Sequence, residues 1–249
     1  MIMKRILWVL SIVGTVCTVS LQAAPVSYVG KLAHKAGAAD GLLFVTGSYW
    51  LSSWAFDTTL SWKVDNTTTP GMWHYEYKIE VPDRGGLAKD IQCIIIEASN
   101  GSSGPPFTIA NLHSLKSSPE NWIQSIDVGL HSPTDNPNLP RNLYGIRLAT
   151  ANIDPKTLTI SFDTDRAPVW GDFYARSYVL DGDFCAFYNY GLFYTPESDP
   201  LDPPSNGSIL NHVLVPDSIP MVLIPAPAAM LLSILGLPLA GWLRRHRSL

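Results

Sequence analysis

Charge is scarce in this chain. Asp, Glu, Lys and Arg make up 15% of its 249 residues, against about 25% in an ordinary globular domain. That excludes a disordered polyampholyte, a charged coiled coil and a strongly basic nucleic-acid-binding surface. Cysteine occurs only at Cys17, Cys93 and Cys185, too few for a disulfide scaffold. The histidines are isolated, with no H-x-H or H-x-x-x-H pair to hold a metal. A G-x-S-x-G nucleophile elbow is missing; Gly101-Ser102-Ser103-Gly104 has the wrong spacing and reads as a loop. There is no Gly-rich phosphate cradle and no internal repeat. No catalytic constellation is legible, and the expectation is a protein that is not an enzyme.

Acidic residues are also missing from both ends, before Asp40 and after Asp217. At the start, Lys4 and Arg5 precede an uncharged apolar run, Ile6 to Val19, and then Leu21-Gln22-Ala23. This predicts a signal peptide over 1–23, removed by signal peptidase after Ala23, with an uncleaved anchor helix as the alternative. At the other end Met221 to Leu243 is an uncharged run of 23 residues, and about 20 suffice to cross a bilayer core. Arg244, Arg245 and Arg247 follow as a stop-transfer cluster that fixes a cytoplasmic C-terminus. The chain therefore reads as exported, with a transmembrane helix at its end. Between the ends, 12 Lys and Arg face 21 Asp and Glu, a net charge of −9, which argues against nucleic acid as a partner.

Ile224-Pro225-Ala226-Pro227-Ala228, a short apolar helix and the terminal Arg-Arg-His-Arg resemble the PEP-CTERM sorting signal of secreted bacterial surface proteins. Ala226 stands where that family usually has Glu. Leu143 to Arg147 and Thr159 to Ala175 are similar to a segment in the bodies of such proteins. The resemblance implies a sorting and processing motif at Pro225, Ala226 and Pro227. It also implies an exosortase-type protease as partner, transient residence in the inner membrane, and delivery to the cell surface, extracellular matrix or medium. It supplies no catalytic residues. A permanently tail-anchored envelope protein is the competing outcome.

The body alternates. From Trp73 to Val81 every odd position is apolar or aromatic while the even positions are His, Glu, Lys and Glu, the period-two pattern of a half-buried strand. Thr157 to Asp163 and Ala55 to Val64 alternate similarly, and Ile91 to Ile96 is continuously apolar, as in a central strand covered on both faces. Further strands are expected at Ser27 to Leu32, Leu42 to Trp50, Leu143 to Ala149, Val169 to Ala175 and Phe184 to Tyr194. The only helix expected is short, around Pro119 to Asp127. Turn signals every ten residues or so predict an all-β, antiparallel β-sandwich, jelly-roll-like, over 24–195. A linker or spacer would follow over 196–220, then the sorting and transmembrane segment over 221–249.

Three further sites stay open on the residues alone. Asp163, Asp165, Asp181 and Asp183 sit at strand ends and offer hard oxygen ligands for Ca²⁺, or serve as turn residues; Asp165-Arg166 and Asp172 offer an ion pair fixing the Trp170 turn. Trp50 and Trp54 are candidates for stacking on the sugar rings of an extracellular polysaccharide. Cys93 and Cys185 are either a disulfide, allowed outside the cytosol, or two buried small hydrophobes. A secreted polysaccharide hydrolase using the acidic residues is the alternative to a structural or binding role.

Overall fold

A computed structural model describes residues 24–34, 41–46, 58–81, 91–102, 104–150, 157–177, 185–193 and 199–220. Apart from Ala24 these belong to one compact unit, Pro25–Met221. The segments expected to be a signal peptide, 1–23, and a sorting and transmembrane tail, 221–249, lie outside the described residues. Among the described residues no helix is long and apolar enough to cross a membrane.

The fold is all-β, and every strand pairing is antiparallel. One five-stranded sheet runs β1 (Ser27–Ala33), β3 (Thr59–Asp65), β4 (Trp73–Glu80), β9 (Thr157–Thr164), β6 (His113–Ser118). A six-stranded sheet runs β2 (Leu42–Thr46), β12 (Cys185–Asn189), β11 (Phe173–Ser177), β5 (Ile91–Glu97), β8 (Leu143–Ala149), β7 (Ser125–His131). A ribbon of β10 (Arg166–Gly171) and β13 (Val213–Pro220) completes the architecture.

The alternation written in the sequence is the alternation observed. In β4 the odd residues Trp73, Tyr75, Tyr77 and Ile79 are buried and the even ones are half-buried. β5 is central in its sheet and buried along nearly its whole length, as its apolar run predicts. Inward side chains of both sheets share one apolar core. An aromatic string crosses it: Phe162 stacks on Tyr75 at 5.3 Å and lies 6.3 Å from Tyr77, which is 6.5 Å from Phe173. Phe187 follows at 6.1 Å and Phe44 at 5.2 Å. Offset aromatic pairs at these spacings add about 0.5–1.5 kcal/mol each beyond area burial. The hydroxyls of the same string fasten the ribbon: Tyr75 donates to the Arg166 carbonyl at 3.0 Å and Tyr77 to the Leu214 carbonyl at 2.7 Å.

Five expectations are corrected. Residues 119–124 are a bend, a turn and irregular chain and β7 begins at Ser125, so the short helix around Pro119 to Asp127 is not there. The strand expected over Val169 to Ala175 is two strands that part at Asp172, and the one expected to reach Tyr194 ends at Asn189 in a single helical turn, Tyr190–Phe193. The segment 199–220 is not a spacer. Asn206 and Gly207 bond the backbone of Val29, and Val213, Leu214 and Val215 are buried in the core through β13. Its short apolar run, broken by Pro216, is too brief to show periodicity, and only its pairing with β10 makes it a strand. Finally, Cys93 is a free, buried thiol. It sits in β5 and Cys185 in β12, with β11 between them. Two strand spacings put the Cα atoms about 9–10 Å apart, beyond the roughly 7 Å a disulfide spans.

Candidate functional site

Where the sequence places acidic candidates, the structure gives the described ones partners of their own. Asp163 is buried in β9, and its Oδ1 is 2.7 Å from His74 Nδ1 on the neighbouring strand. Asp165 accepts from Asn111 at 3.3 Å and pairs with Arg166 Nε, also at 3.3 Å. The ion pair of Asp172 is made with Arg141, not Arg166. Asp163 and Asp165 join no group of three metal-ligating side chains among the described residues. Asp181, Asp183, Trp50 and Trp54 lie outside those residues, as do Pro225, Ala226, Pro227, Arg244, Arg245 and Arg247.

A different polar cluster forms where several strands begin or end. Glu97 closes β5, Asp172 joins β10 to β11, Asn189 closes β12, Arg141 precedes β8 and His212 precedes β13. Asp199 reaches the cluster from the preceding loop. The β5–β11 register brings the first two together: the Glu97 N–H donates to the Asp172 carbonyl at 2.9 Å, and the Asp172 N–H donates to Glu97 Oε2 at 2.7 Å. Gly171 makes this approach possible, because a Cβ there would stand 3.0 Å from Glu97 Oε2 and 2.4 Å from Val215 Cγ2. Gly191 likewise leaves room for the His212 ring, whose atoms a Cβ would meet at 2.6 to 2.8 Å.

Asp172 is the hub. Its side chain is fully buried; Oδ1 accepts from Asn189 Nδ2 at 2.7 Å and Oδ2 from Arg141 Nη2 at 2.8 Å. Asn189 is in turn fixed by the Phe173 N–H at 2.7 Å and the Asn211 carbonyl at 2.8 Å. His212 Nδ1 lies 3.1 Å from Asp172 Oδ1 and 3.4 Å from Asp199 Oδ1. It is aligned for a hydrogen bond with neither, so that Nδ1 and Asp199 Oδ1 are buried polar atoms without a hydrogen-bond partner.

Crowding three acids in a dry place shifts their chemistry. Burial, reinforced by the charges of Asp172 and Asp199, pushes the Glu97 carboxyl well above its ordinary value and favours its neutral form. Burial also lifts Asp199, to about 6, with the Asp172 charge adding to it. Desolvation opposes charging of the His212 ring, but the Asp172 contact and the two carboxylate charges outweigh it and raise its pKa.

Three members of the cluster, Glu97, Arg141 and Asp199, line a cleft of about 430 Å³ that Ser99, Asn100 and Trp170 also border. Its lining is mostly hydrogen-bonding groups, suited to a polar ligand. Trp170, which borders the cleft, has a buried indole N–H without a hydrogen-bond partner. Of these residues, sequence reading singled out only Asp172, as part of a turn, and noted His212 as an isolated histidine. The one available signal was Glu97, a carboxylate ending the most apolar strand of the body. No protein-family model matches the chain, and no curated protein or solved structure is found similar to it.

Proposed function

We propose that the chain is an exported surface or matrix protein whose β-sandwich binds a polar, hydroxyl-rich ligand, of the class of an extracellular polysaccharide, in the Arg141–Asp199 cleft. The observation that carries the binding reading is the state of the carboxylates. Acid–base hydrolysis of a glycoside needs two carboxyl groups free to face the scissile bond. Both oxygens of Asp172 are committed to Asn189 and Arg141, and Glu97 Oε2 to a backbone N–H. Asp199 Oδ1 is a buried oxygen without a hydrogen-bond partner. A cleft rich in donors and acceptors, backed by a carboxylate held on both oxygens, recognises better than it cleaves.

Export and sorting rest on the ends of the chain. The compact unit Pro25–Met221 begins after the signal-like leader and stops at the start of the apolar tail. This is the division expected of a folded payload between two targeting devices. Exosortase-type processing at Pro225-Ala226-Pro227 would release it after membrane arrest at Arg244, Arg245 and Arg247. A jelly-roll-like arrangement of the sandwich is supported by the chain's changes of sheet, between β1 and β2, β2 and β3, β4 and β5, β5 and β6, β6 and β7, and β8 and β9.

Two measurements test the reading. Intact-mass analysis of the mature protein should find Ala24 at its start and the residues after the Pro-Ala-Pro motif removed. A cytosolic species retaining Met1 and Arg247 would end the sorting account. A polysaccharide array probed with the purified chain should give a signal that Asn142→Ala at the cleft weakens. Binding to no glycan would remove that ligand class.

A further inference from the structure

We propose that Asp172, Asp199 and His212 form a binding site for one divalent first-row transition cation, of the Zn²⁺ class. The inference goes beyond the surface-binding reading and stands on the geometry of the three side chains alone. Their ligand atoms all lie within 4.8 Å of one another. The two edges that meet at His212 Nδ1 measure 3.1 and 3.4 Å. A shell with bonds of about 2.1 Å has edges of about 3.0 Å if octahedral and about 3.4 Å if tetrahedral. The two edges at His212 are thus those of atoms arranged around a common centre.

The second observation is His212 itself. The residue is 5% exposed, and its Nδ1 faces two carboxylate oxygens yet has no hydrogen-bond partner. Buried polar atoms are nearly always paired, and the one oxygen of Asp199 beside it is unpaired as well. A cation between them satisfies both with one bond each.

The surroundings fit a metal shell in two further respects. Asn189 and Arg141 hold the Asp172 carboxylate from outside, as outer partners of a metal-bound carboxylate do. Arg141 engages Oδ2, which leaves a lone pair of Oδ1 facing His212. With a neutral ring, the two carboxylate charges of Asp172 and Asp199 outnumber the one charge of Arg141, and a divalent ion reverses the sign of that net negative site. Access is from the cleft, which Asp199 borders with a side chain 32% exposed. An imidazole nitrogen with two carboxylate oxygens suits Zn²⁺ or its neighbours, whereas Ca²⁺ seeks six to eight oxygens. Water from the cleft would complete the shell.

The test uses the full-length chain purified in detergent, stripped with a chelator, equilibrated with Zn²⁺ and freed of excess. Elemental analysis should find one zinc per chain, and X-ray absorption an oxygen/nitrogen shell with a single imidazole and no sulfur. Asp199→Asn and His212→Gln should each weaken zinc by more than the roughly 10–100-fold that loss of an outer partner costs, while Asp165→Asn leaves it unchanged. If His212→Gln does not fold, Asp199→Asn, on a loop, decides the matter provided its circular dichroism is that of the parent. No retained zinc, a sulfur ligand, undiminished zinc in Asp199→Asn, or an equal loss in Asp165→Asn would each overturn the proposal. None of these results bears on whether the chain is exported or binds a glycan, so the two readings fail separately.

Discussion

Two groups of buried acids in this protein meet opposite fates. At the end of β3, Asp65 accepts from the Thr67 N–H at 2.9 Å, the Thr67 hydroxyl at 2.9 Å and the Thr68 N–H at 2.7 Å. The Thr68 hydroxyl adds a fourth bond at 3.0 Å. Across β4, in the same row of the sheet, Asp163 pairs with His74. In both, burial pulls the carboxyl upward, but the hydrogen bonds win and hold it below its ordinary range. At Glu97 and Asp199 burial wins instead. The difference lies in where the partners come from. Those of Asp65 are two and three residues away and arrive with the turn, so the carboxylate is satisfied by local geometry. The Asp172 cluster is assembled from separate segments, each placed by its own strand, and one nitrogen and one oxygen are left over. Local acids complete a fold, and an assembled set with unused atoms makes a place for something else.

The largest effect should come from breaking the assembled set. Asp172→Ala removes the hub, orphaning Asn189, the Arg141 guanidinium and the His212 ring in a buried place. Loss of one partner from a buried ionic network costs about 3–5 kcal/mol, and the urea midpoint should fall accordingly with an unchanged slope. A loss below about 1 kcal/mol would mean that water reaches the cluster freely and that the contrast with Asp65 is overdrawn.

The two satisfied acids should show themselves as pH dependence. Asp65 and Asp163 have folded pKa values below their unfolded ones. Their stabilisation is therefore fully present above the unfolded value of about 4 and is lost as pH falls through the folded values. Asp65→Asn should cost about 1–3 kcal/mol at neutral pH and flatten the loss of stability between about pH 4 and pH 2. An acid limb as steep as the parent's would show that Asp65 does not carry it. Gly191→Ala tests the assembled set by crowding rather than charge. The new methyl must displace the His212 ring, at about 1–3 kcal/mol, seen as a lower unfolding temperature.

Legibility in the sequence follows the same division. The alternation of β4 and β9 and the continuous apolarity of β5 are local patterns, and each predicted its strand and buried face. The strands that were missed are of two kinds. β6 and β7 are edges, with mostly exposed or half-exposed residues, so no apolar face marks them. β13 is buried but short in its apolar part, and depends on a partner from a distant segment. The candidate site was hidden for that last reason: His212 is 5% exposed beside Asp172, yet 40 residues separate them in the chain. Motif reading expects metal ligands or acid pairs at short spacing, which led to Asp163 and Asp165. Those carboxylates turn out to be occupied by His74, Asn111 and Arg166.

The smallest expected effect marks the solvated end of the comparison. Lys78 and Glu80 lie two apart on β4, with Nζ 2.6 Å from Oε1 and both side chains more than 40% exposed. Lys78 is the main reason the Glu80 carboxyl is held below its ordinary value. The distance is shorter than any ion-pair contact of Asp172, so distance alone would rank this pair first. Solvent reverses that order, because both charges keep their hydration and salt screens them. Glu80→Gln should therefore cost less than about 1 kcal/mol, and that cost should fade as salt is raised toward about 1 M. The cost of Asp172→Ala should persist at the same salt. Equal costs for the two substitutions, with equal sensitivity to salt, would show that burial does not separate these carboxylates and would remove the basis for treating the Asp172 cluster as a site.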